Sequence, residues 1–594
     1  MIYFIGVWLV LLLVCPIVGI GLLNGLSDIN LWRLGDRFIL ALWLGIILFA
    51  VTALGLSLQW PLTPWLGVIV MLVLMDLAWR FPANRQAWRQ LWQQLSRRQV
   101  GLGISAVVLV AAVMSRAVTW HDAGYYHASV IRWLSQYGSV HGLALIFSNL
   151  GFTSSWFAFV SPLSRPAYAG YTSAVGNGFA ALIMVLHGLI VGHRVVRRQA
   201  QMSDWFMLIF ATVALLTSLF VSPFSQIMVS PSPDFPVLLL VGTIAWLMLV
   251  ICQFEPPYSA RADRMSVLPF ALALGAVSIK LTAIPTVLVG GLFLLLSHRL
   301  AWSRLLLGAG LSGVLMGPNV LASIRTSGCP LYPSAVLCVD RPWAPTRQQA
   351  HAIAASTHDW TSWLGTPPAG ANPWLWAVTQ LVKTPRDFVT FFLVGLAVLA
   401  GLALLLQALR TVARRQLPGE FWVVLLGLVG LGFLFLTSIF TRFLFPYMLI
   451  LFALSVTWLG HEQRVLQRYL KILVGRWPSC TPRGIYLSIT GLSTIVLAMS
   501  LILYQGANAI VPPPMMQSAM TQKVTNTIAY ASPQSGDLAI SIENAGVYQS
   551  DDLDRCWAVA IPCAYNIPDD VQLRDPARGI GAGFVRRSAL NQQP

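Results

Sequence analysis

Long runs of apolar residues recur along the chain and alternate with short polar segments that are mostly basic. Because the hydrocarbon core of a bilayer takes about 20 helical residues, each apolar run of about 15 to 24 residues predicts a transmembrane helix. The sequence predicts about fourteen such helices, at approximately 2–23, 37–57, 61–79, 101–119, 174–193, 205–222, 235–253, 266–279, 283–297, 303–322, 387–409, 420–439, 443–460 and 484–506. The pattern therefore predicts an all-α polytopic membrane protein.

The basic residues stand mainly in every second loop between these runs, as Arg194 and Arg414 do. The positive-inside rule assigns such loops to the cytoplasm. The alternate segments are longer and are predicted to face outside: 120–173, 223–234, 323–386 and the tail 507–594. The first apolar run lacks a basic n-region and a small-residue cleavage site, which favours a retained helix with an external N-terminus. The alternation holds only if 266–279 and 283–297 are two separate spans.

The spans and loops divide the chain into four regions. Residues 1–100 hold the first transmembrane helices, and 101–460 hold a candidate catalytic core with the outer loops 120–173 and 323–386. A basic cytoplasmic loop and the last transmembrane helix fill 461–506. The tail, 507–594, alternates apolar and polar residues in places, which predicts a small extracytoplasmic α/β domain.

Composition supports a membrane protein and argues against other classes. The chain of 594 residues is 57% hydrophobic and only 10% charged, whereas soluble domains carry roughly 25% charged residues. The net charge of +17 is spread as short clusters between apolar runs, which is typical of topology signals and not of a nucleic-acid surface. Tryptophans near predicted span ends, Trp120 among them, indicate an aromatic belt.

Cysteines on the predicted outer side form two close pairs. Cys329 and Cys338 share one outer loop, and Cys556 and Cys563 share the tail. An oxidising compartment would favour a disulfide in each pair, although two nearby free thiols remain the alternative. The spacings do not resemble a zinc site.

Candidate chemistry begins at the end of the fourth predicted span, in Trp120-His121-Asp122-Ala123-Gly124-Tyr125-Tyr126-His127. Apolar residues then follow at helical spacing up to Tyr137, which predicts an amphipathic helix along the membrane surface. Asp122 would lie at the boundary between water and lipid. A carboxylate at that position suits either a helix N-cap or a catalytic base.

Three further charged residues stand where apolar runs break on the predicted outer side. Asp234 opens the seventh span after two prolines and suits a helix cap or a binding role. Lys280 separates the two short spans, and Arg442 precedes Phe443-Leu444-Phe445-Pro446. Snorkelling to lipid headgroups and binding of an anion are the alternatives for both cations. Together, the two carboxylates and two cations suit a lipid-linked phosphate substrate.

The order of these elements resembles the GT-C superfamily of membrane glycosyltransferases, which use polyprenyl-phosphate-linked sugars. An acidic residue in the first large outer loop matches His121-Asp122, and a second acidic residue opening a later span matches Asp234. The Lys280-Leu281-Thr282-Ala283-Ile284-Pro285 break and the Thr441-to-Pro446 entry look like those of bacterial members. The segment from Arg325 through Gly328, Pro330 and Pro333 resembles an outer-loop pattern of uncharacterised bacterial relatives.

By this resemblance Asp122 is the general base for an acceptor hydroxyl, and Lys280 and Arg442 bind the departing phosphate. His121, Tyr126, His127 and Asp234 would position the sugar or the acceptor. The implied partners are a polyprenyl-phosphate sugar donor, membrane lipid and an extracytoplasmic glycan, lipid or protein acceptor. The implied location is the bacterial plasma membrane, with the active site facing the periplasm.

The sequence departs from many GT-C members because it has one carboxylate, Asp122, where they have an acidic pair. A metal held by two adjacent acids is therefore not expected, while Asp122, Asp234 and His127 remain a candidate set for one divalent ion, Mg²⁺ or Mn²⁺. A sugar monophosphate donor can react without a metal if cations neutralise the leaving phosphate.

Two other functional classes also suit a chain of this kind. One is a lipid or solute transporter, which usually shows internal repeats that this sequence lacks. The other is an oligosaccharide polymerase or ligase acting on lipid-linked glycans, which would depend less on an early acidic residue such as Asp122. No GxxxxGK[ST] segment occurs, so a phosphate-binding loop for ATP is not predicted.

Overall fold

A computed structural model describes residues 1–26, 33–164, 168, 170–254, 265–296, 302–358 and 418–462, together with short stretches between 367 and 406 and between 510 and 587. These residues are mostly helical. Nine of their helices are long and apolar enough to cross a membrane. They are α1 (Ile2–Leu26), α2 (Leu34–Leu56), α5 (Arg97–Met114), α9 (Val175–Val196), α10 (Met202–Phe220), α12 (Asp234–Phe254), α15 (Trp302–Ser327), α17 (Gly419–Thr437) and α18 (Thr441–Glu462).

The other predicted spans are shorter, bent or outside the described residues. Helices α3 (Pro64–Trp79) and α4 (Pro82–Gln94) meet at 100° and form either one broken span or a re-entrant loop. Helices α13 (Val267–Ile279) and α14 (Ile284–Leu296) are apolar but have 13 residues each, or about 20 Å at 1.5 Å per residue. The apolar helix Leu393–Ala403 is shorter still. The count of fourteen stays a prediction, and its last span, 484–506, lies outside the described residues.

Small residues bring the first two helices into direct backbone contact. Gly19 of α1 lies against the backbone of Ala41, and Gly45 of α2 lies against the backbone of Cys15. A side chain at either glycine would collide with the facing helix. In lipid, burial of apolar side chains gives no hydrophobic driving force for helix association, so van der Waals packing contributes more. Small residues strengthen that packing because they let two helix backbones approach closely.

The segment after α5 forms short helices that pack over the membrane helices. A π-helix (Ala123–His127) continues directly into α6 (Ala128–Tyr137), followed by α7 (Leu143–Ile146) and α8 (Ser155–Val160). A helix is present where the amphipathic helix was predicted, and Val130, Trp133 and Leu134 of its predicted apolar face are buried, whereas Tyr137 of the same face is exposed. Its position along the membrane surface stays a prediction. The remaining short helices are α11 (Phe224–Met228) and α16 (Arg347–His358).

Contacts between loops divide them into two groups. At one end, Arg33 and Arg194 form ion pairs of 2.8 Å with the fully buried Asp204, and Arg194 pairs also with Asp36. At the other end, the segment after α2 bonds to the segment after α6, where Ser139 N–H donates to the Ser57 carbonyl at 2.7 Å. In each case the two segments in contact belong to the same predicted set of loops, and the division of the remaining loops stays a prediction.

The described part of the tail contains two antiparallel ladders. One pairs β1 (Gln522–Lys523) with β2 (Tyr548–Gln549), and the other pairs β3 (Val571–Leu573) with β4 (Phe584–Arg586). A 3₁₀-helix (Pro576–Ala582) connects β3 to β4. Because most of 507–594 lies outside the described residues, the α/β domain stays a prediction.

The predicted disulfide between Cys329 and Cys338 is confirmed. Cys556 is also disulfide-bonded, while its predicted partner Cys563 lies outside the described residues. Cys15 and Cys252 are free thiols. Three oxidised cysteines, Cys329, Cys338 and Cys556, lie in segments predicted to face outside, which agrees with that orientation.

Candidate functional site

Asp122 lies between α5 and the π-helix, and its side chain does not cap that helix. One carboxylate oxygen, Oδ2, lies 3.1 Å from a guanidinium nitrogen of Arg442, and Oδ1 lies 3.5 Å from Nδ1 of His121. Its side chain is 18% exposed. The geometry thus favours a charged interaction role for Asp122 over the N-cap alternative.

Asp234 and Lys280 form the second ion pair of the site. Asp234 is the first residue of α12, where a carboxylate also interacts favourably with the helix dipole. Lys280 follows the last residue of α13, and its Nζ bonds to Oδ1 of Asp234. Because the Lys280 side chain is paired and only 20% exposed, the geometry argues against the snorkelling alternative.

Arg442 connects the two pairs. It is the second residue of α18, and its Nε lies 3.6 Å from Oδ2 of Asp234 while another of its nitrogens pairs with Asp122. Asp122, Asp234, Lys280 and Arg442, which we call the four-charge cluster, therefore meet although they come from four separate segments of the chain. All four side chains are at most one-fifth exposed.

Aromatic rings surround the two cations. The guanidinium carbon of Arg442 lies 5.1 Å from the Trp120 ring centroid and 4.9 Å from those of Phe440 and Phe443. Lys280 Nζ lies 4.2 Å from the Phe443 ring centroid. The faces of these rings attract the positive charges of Arg442 and Lys280 and hold them in place. Because a ring face is not a strong hydrogen-bond acceptor, N–H groups of both side chains stay available for other partners. Trp120 is one functional candidate that sequence reasoning assigned to an aromatic belt.

His127 and Tyr126 form the buried side of the site. The two rings lie 4.3 Å apart, and His127 also packs on Phe157 at 5.1 Å. Burial lowers the pKa of His127 to about 3, against the pull of the neighbouring carboxylates. His127 is therefore neutral near pH 7. Burial and the charges of Asp122 and Asp234 raise the pKa of Tyr126 well above its usual value, so its hydroxyl stays protonated.

Asp122 is ionised near neutral pH. Burial alone would raise its pKa, but a hydrogen bond from His121 and the charge of Arg442 outweigh burial and hold the pKa below its usual range. His121 itself is the exposed member of the group, with 45% of its side chain accessible. Its ring centroid lies 5.4 Å from that of Tyr125. Asp122 is thus an ionised acceptor that Arg442 keeps weakly basic.

Several buried polar atoms of the site have no hydrogen-bond partner within the described residues. They are Trp120 Nε1, His127 Nδ1, Asp234 Oδ2, Arg442 Nε and Trp557 Nε1. Native proteins pair the great majority of such atoms, because an unpaired buried polar atom costs about 1–3 kcal/mol. Their presence around one ionised carboxylate suits a ligand rich in polar groups.

The residues present do not fit a divalent metal between the carboxylates. Among the described residues, no group of three or more His, Cys, Asp or Glu side chains could hold a metal ion. Asp122 and Asp234 instead direct their oxygens at Arg442 and Lys280, whose positive charges oppose a further cation there. We therefore derive no step through a metal.

The structure brings together the four charged residues that the sequence singled out at breaks between apolar runs. Asp122, Asp234, Lys280 and Arg442 form one network of ion pairs, and Nδ1 of His121 lies 3.5 Å from Asp122. Tyr126 and His127 line its buried side, where their ionisation responds to the same charges. The disulfide of Cys329 and Cys338 lies in the loop 323–386 and is not part of this network within the described residues.

Comparison with known proteins gives one result at the level of family. No curated protein and no solved structure matches the chain. A family model described as Domain of unknown function (DUF8201) matches residues 1–449. This range includes the whole four-charge cluster and ends before the tail. Since the match covers well over half of the sequence, the chain belongs to the DUF8201 family.

Proposed function

We propose that this protein is a membrane glycosyltransferase that moves a sugar from a polyprenyl-phosphate-linked donor to an acceptor hydroxyl, with Asp122 as general base. One observation carries the proposal: Arg442 lies 3.1 Å from Asp122 and 3.6 Å from Asp234, so an ionised base and two cations share one site. The site stands where four helical segments begin or end, and a lipid carried by the bilayer would reach it if these helices span the membrane.

Lys280 and Arg442 suit the phosphate of the donor. A guanidinium presents several N–H groups in a plane and binds phosphate through two of them, whereas an ammonium acts as a compact charge. Arg442 Nε has no hydrogen-bond partner among the described residues, so the side chain has donor capacity beyond its contact with Asp122. The two cations would stabilise the negative charge that develops on the leaving phosphate.

Binding of the donor would also activate Asp122. The hydrogen bond from His121 and the charge of Arg442 both lower the pKa of Asp122, and Asp122 loses the second of these when the guanidinium of Arg442 turns to the phosphate. The added negative charge of the phosphate raises that pKa further, which makes Asp122 a stronger base only in the loaded site. Asp234 keeps Lys280 in place during this exchange.

The reaction is a displacement at the anomeric carbon. The acceptor oxygen forms a bond to that carbon, and the bond from the carbon to the phosphate oxygen breaks. The electron pair leaves with polyprenyl phosphate, and the proton of the acceptor hydroxyl goes to Asp122. Nδ1 of the neutral His127 and Nε1 of Trp120 are available to hold sugar hydroxyls, because neither atom has a hydrogen-bond partner within the described residues.

The proposed setting is the bacterial plasma membrane, with transfer on the extracytoplasmic face. Support comes from the basic loops on one side of the alternation and from the oxidised cysteines on the other. An acceptor glycan, lipid or protein would then approach from the periplasm.

Asp122→Asn tests the proposal in proteoliposomes that contain the purified protein, a panel of polyprenyl-phosphate sugars and hydroxyl acceptors. We expect the wild type to transfer sugar and the variant to turn over about 10²–10⁴-fold more slowly, which is the usual contribution of a general base. Asp76→Asn is the control, since Asp76 pairs with Arg80 on an exposed surface. Near-normal turnover by Asp122→Asn, or the absence of transfer by the wild type from every donor, would contradict the proposal.

A further inference from the structure

The C-terminal tail lies on the segment that carries Asp122. Trp557 N–H donates a hydrogen bond of 2.8 Å to the carbonyl of Gly124, two residues after Asp122. The indole ring covers the same glycine, where an added Cβ would stand 2.5 Å from a ring carbon. Trp557 is 2% exposed, although it belongs to a polar tail.

The local backbone shows that this contact is specific. Trp557 has a φ of 44°, a left-handed conformation that costs a bulky residue free energy and persists only where the surroundings fix it. The preceding residue, Cys556, is buried and disulfide-bonded. Gly124 lies in the π-helix, a form that is rare and frequently found at functional sites.

A second contact fixes the tail independently of Trp557. Phe584 N–H donates to the carbonyl of His141 at 3.0 Å, and the fully buried Phe584 ring packs edge-on against Trp133. Arg586 pairs with Asp340 of the loop 323–386 at 3.2 Å. The tail therefore contacts both loop 120–173 and loop 323–386, and loss of the Trp557 side chain alone would leave β4 bound.

We infer that the tail completes the active site, with Trp557 as a positioning residue that holds the π-helix and thereby fixes the direction of the Asp122 carboxylate. This inference rests on the proposed function. The Trp557 backbone and ring both hold Gly124, and Asp122 is separated from Gly124 by one residue. A displacement of about 1 Å at a reacting group can cost about a hundredfold in rate. The tail lies beyond residues 1–449 and so adds to the site from outside the family match.

Kinetics of Trp557→Ala and Trp557→Phe test the inference in the same proteoliposome assay. We expect kcat to fall about tenfold or more for Trp557→Ala, with the donor KM changed less than about twofold, because Lys280 and Arg442 still bind phosphate while the base is misplaced. Trp557→Phe keeps a ring over Gly124 and should recover most of kcat. If Trp557→Ala does not fold, Trp557→Leu replaces it, because leucine keeps an apolar side chain in the tail but no ring over Gly124, and the same loss of kcat is expected.

Trp246→Phe and Trp246→Ala are matched controls. Trp246 is fully buried, its N–H group is unpaired within the described residues, and it packs on His187 away from the four-charge cluster. These variants should lower stability but leave kcat per folded molecule unchanged. Wild-type kcat in both Trp557 variants, alongside an inactive Asp122→Asn, would overturn the inference and leave the proposed function standing. An inactive wild type would instead contradict the proposed function itself.

Discussion

Arg442 and Asp122 form an ion pair of 3.1 Å between the second residue of α18 and the residue that precedes the π-helix. The same guanidinium lies 3.6 Å from Asp234. Neither carboxylate can therefore change its environment without affecting the other. Because of this coupling, binding of a phosphate to Arg442 would change the electrostatic environment of Asp122, the proposed base.

Arg442→Lys tests that coupling while keeping the charge. A lysine has one compact ammonium group and cannot face two carboxylates and a phosphate as a planar guanidinium does. We expect turnover to fall about 10- to 100-fold, the effect of losing one hydrogen bond to a charged group. The measurement is steady-state sugar transfer. Arg80→Lys is the matched control because its pair with Asp76 is exposed, and an equal loss in both variants would argue against a special role for Arg442.

The sequence predicted helices well where long apolar runs are straight. The predicted span 235–253 corresponds to α12, Asp234–Phe254. The run at 61–79 corresponds to α3, but the sharp bend into α4 was not predicted, because hydropathy counts apolar residues and does not report direction. The π-helix was missed for a similar reason, since one extra residue in a turn leaves no clear trace in the spacing from Tyr126 to Tyr137.

The charged site residues were predictable because each interrupts an apolar run. Asp122, Lys280 and Arg442 stand out at positions where a charge is costly. Their pairing was not predictable, because contacts between segments far apart in sequence depend on how the helices pack. The same reason explains why Trp557 escaped notice: nothing near it in the tail indicates that it covers Gly124.

Stability should depend on pH through His127. Its pKa is about 3 in the folded protein, mainly because it is buried, against 6.5 when unperturbed. Between these values the unfolded chain binds more protons than the folded one, so stability falls as pH falls from 6.5 towards 3. The difference between pH 7 and pH 5 amounts to about 2 kcal/mol for one such group.

Thermal unfolding of the purified protein in detergent at pH 7 and pH 5 measures this effect. We expect His127→Gln to lose less stability on acidification than the wild type. The pKa of His141 is also lowered, to about 4, by burial and by Arg325 and Arg574. His141 is present in both proteins, so its contribution to the pH dependence of stability cancels when they are compared. Equal pH dependence in the two proteins would mean that His127 is not buried as a neutral group.

The orientation of the chain can be tested with one cysteine on each side. Gln93 of α4 and Gln348 of α16 are both exposed, and they belong to the basic and the outer set of loops. The positive-inside rule places the loop of Gln93 in the cytoplasm and the loop of Gln348 outside. We therefore expect Gln348→Cys to react with a membrane-impermeant maleimide in intact spheroplasts and Gln93→Cys to react only after lysis. The unsubstituted chain gives the background from its other cysteines, which include the described free thiols Cys15 and Cys252 and also Cys480, which lies outside the described residues.

The result decides where the proposed chemistry takes place. The loop of Gln348 leads back to Asp340, which pairs with Arg586, and the tail in turn bonds to His141 and Gly124 on the segment of Asp122. Labelling of Gln348→Cys from outside would therefore place the four-charge cluster on the outer side as well. The opposite pattern would put that cluster in the cytoplasm and contradict transfer on the extracytoplasmic face. Labelling of both variants in intact spheroplasts would contradict the division of the loops into two sets.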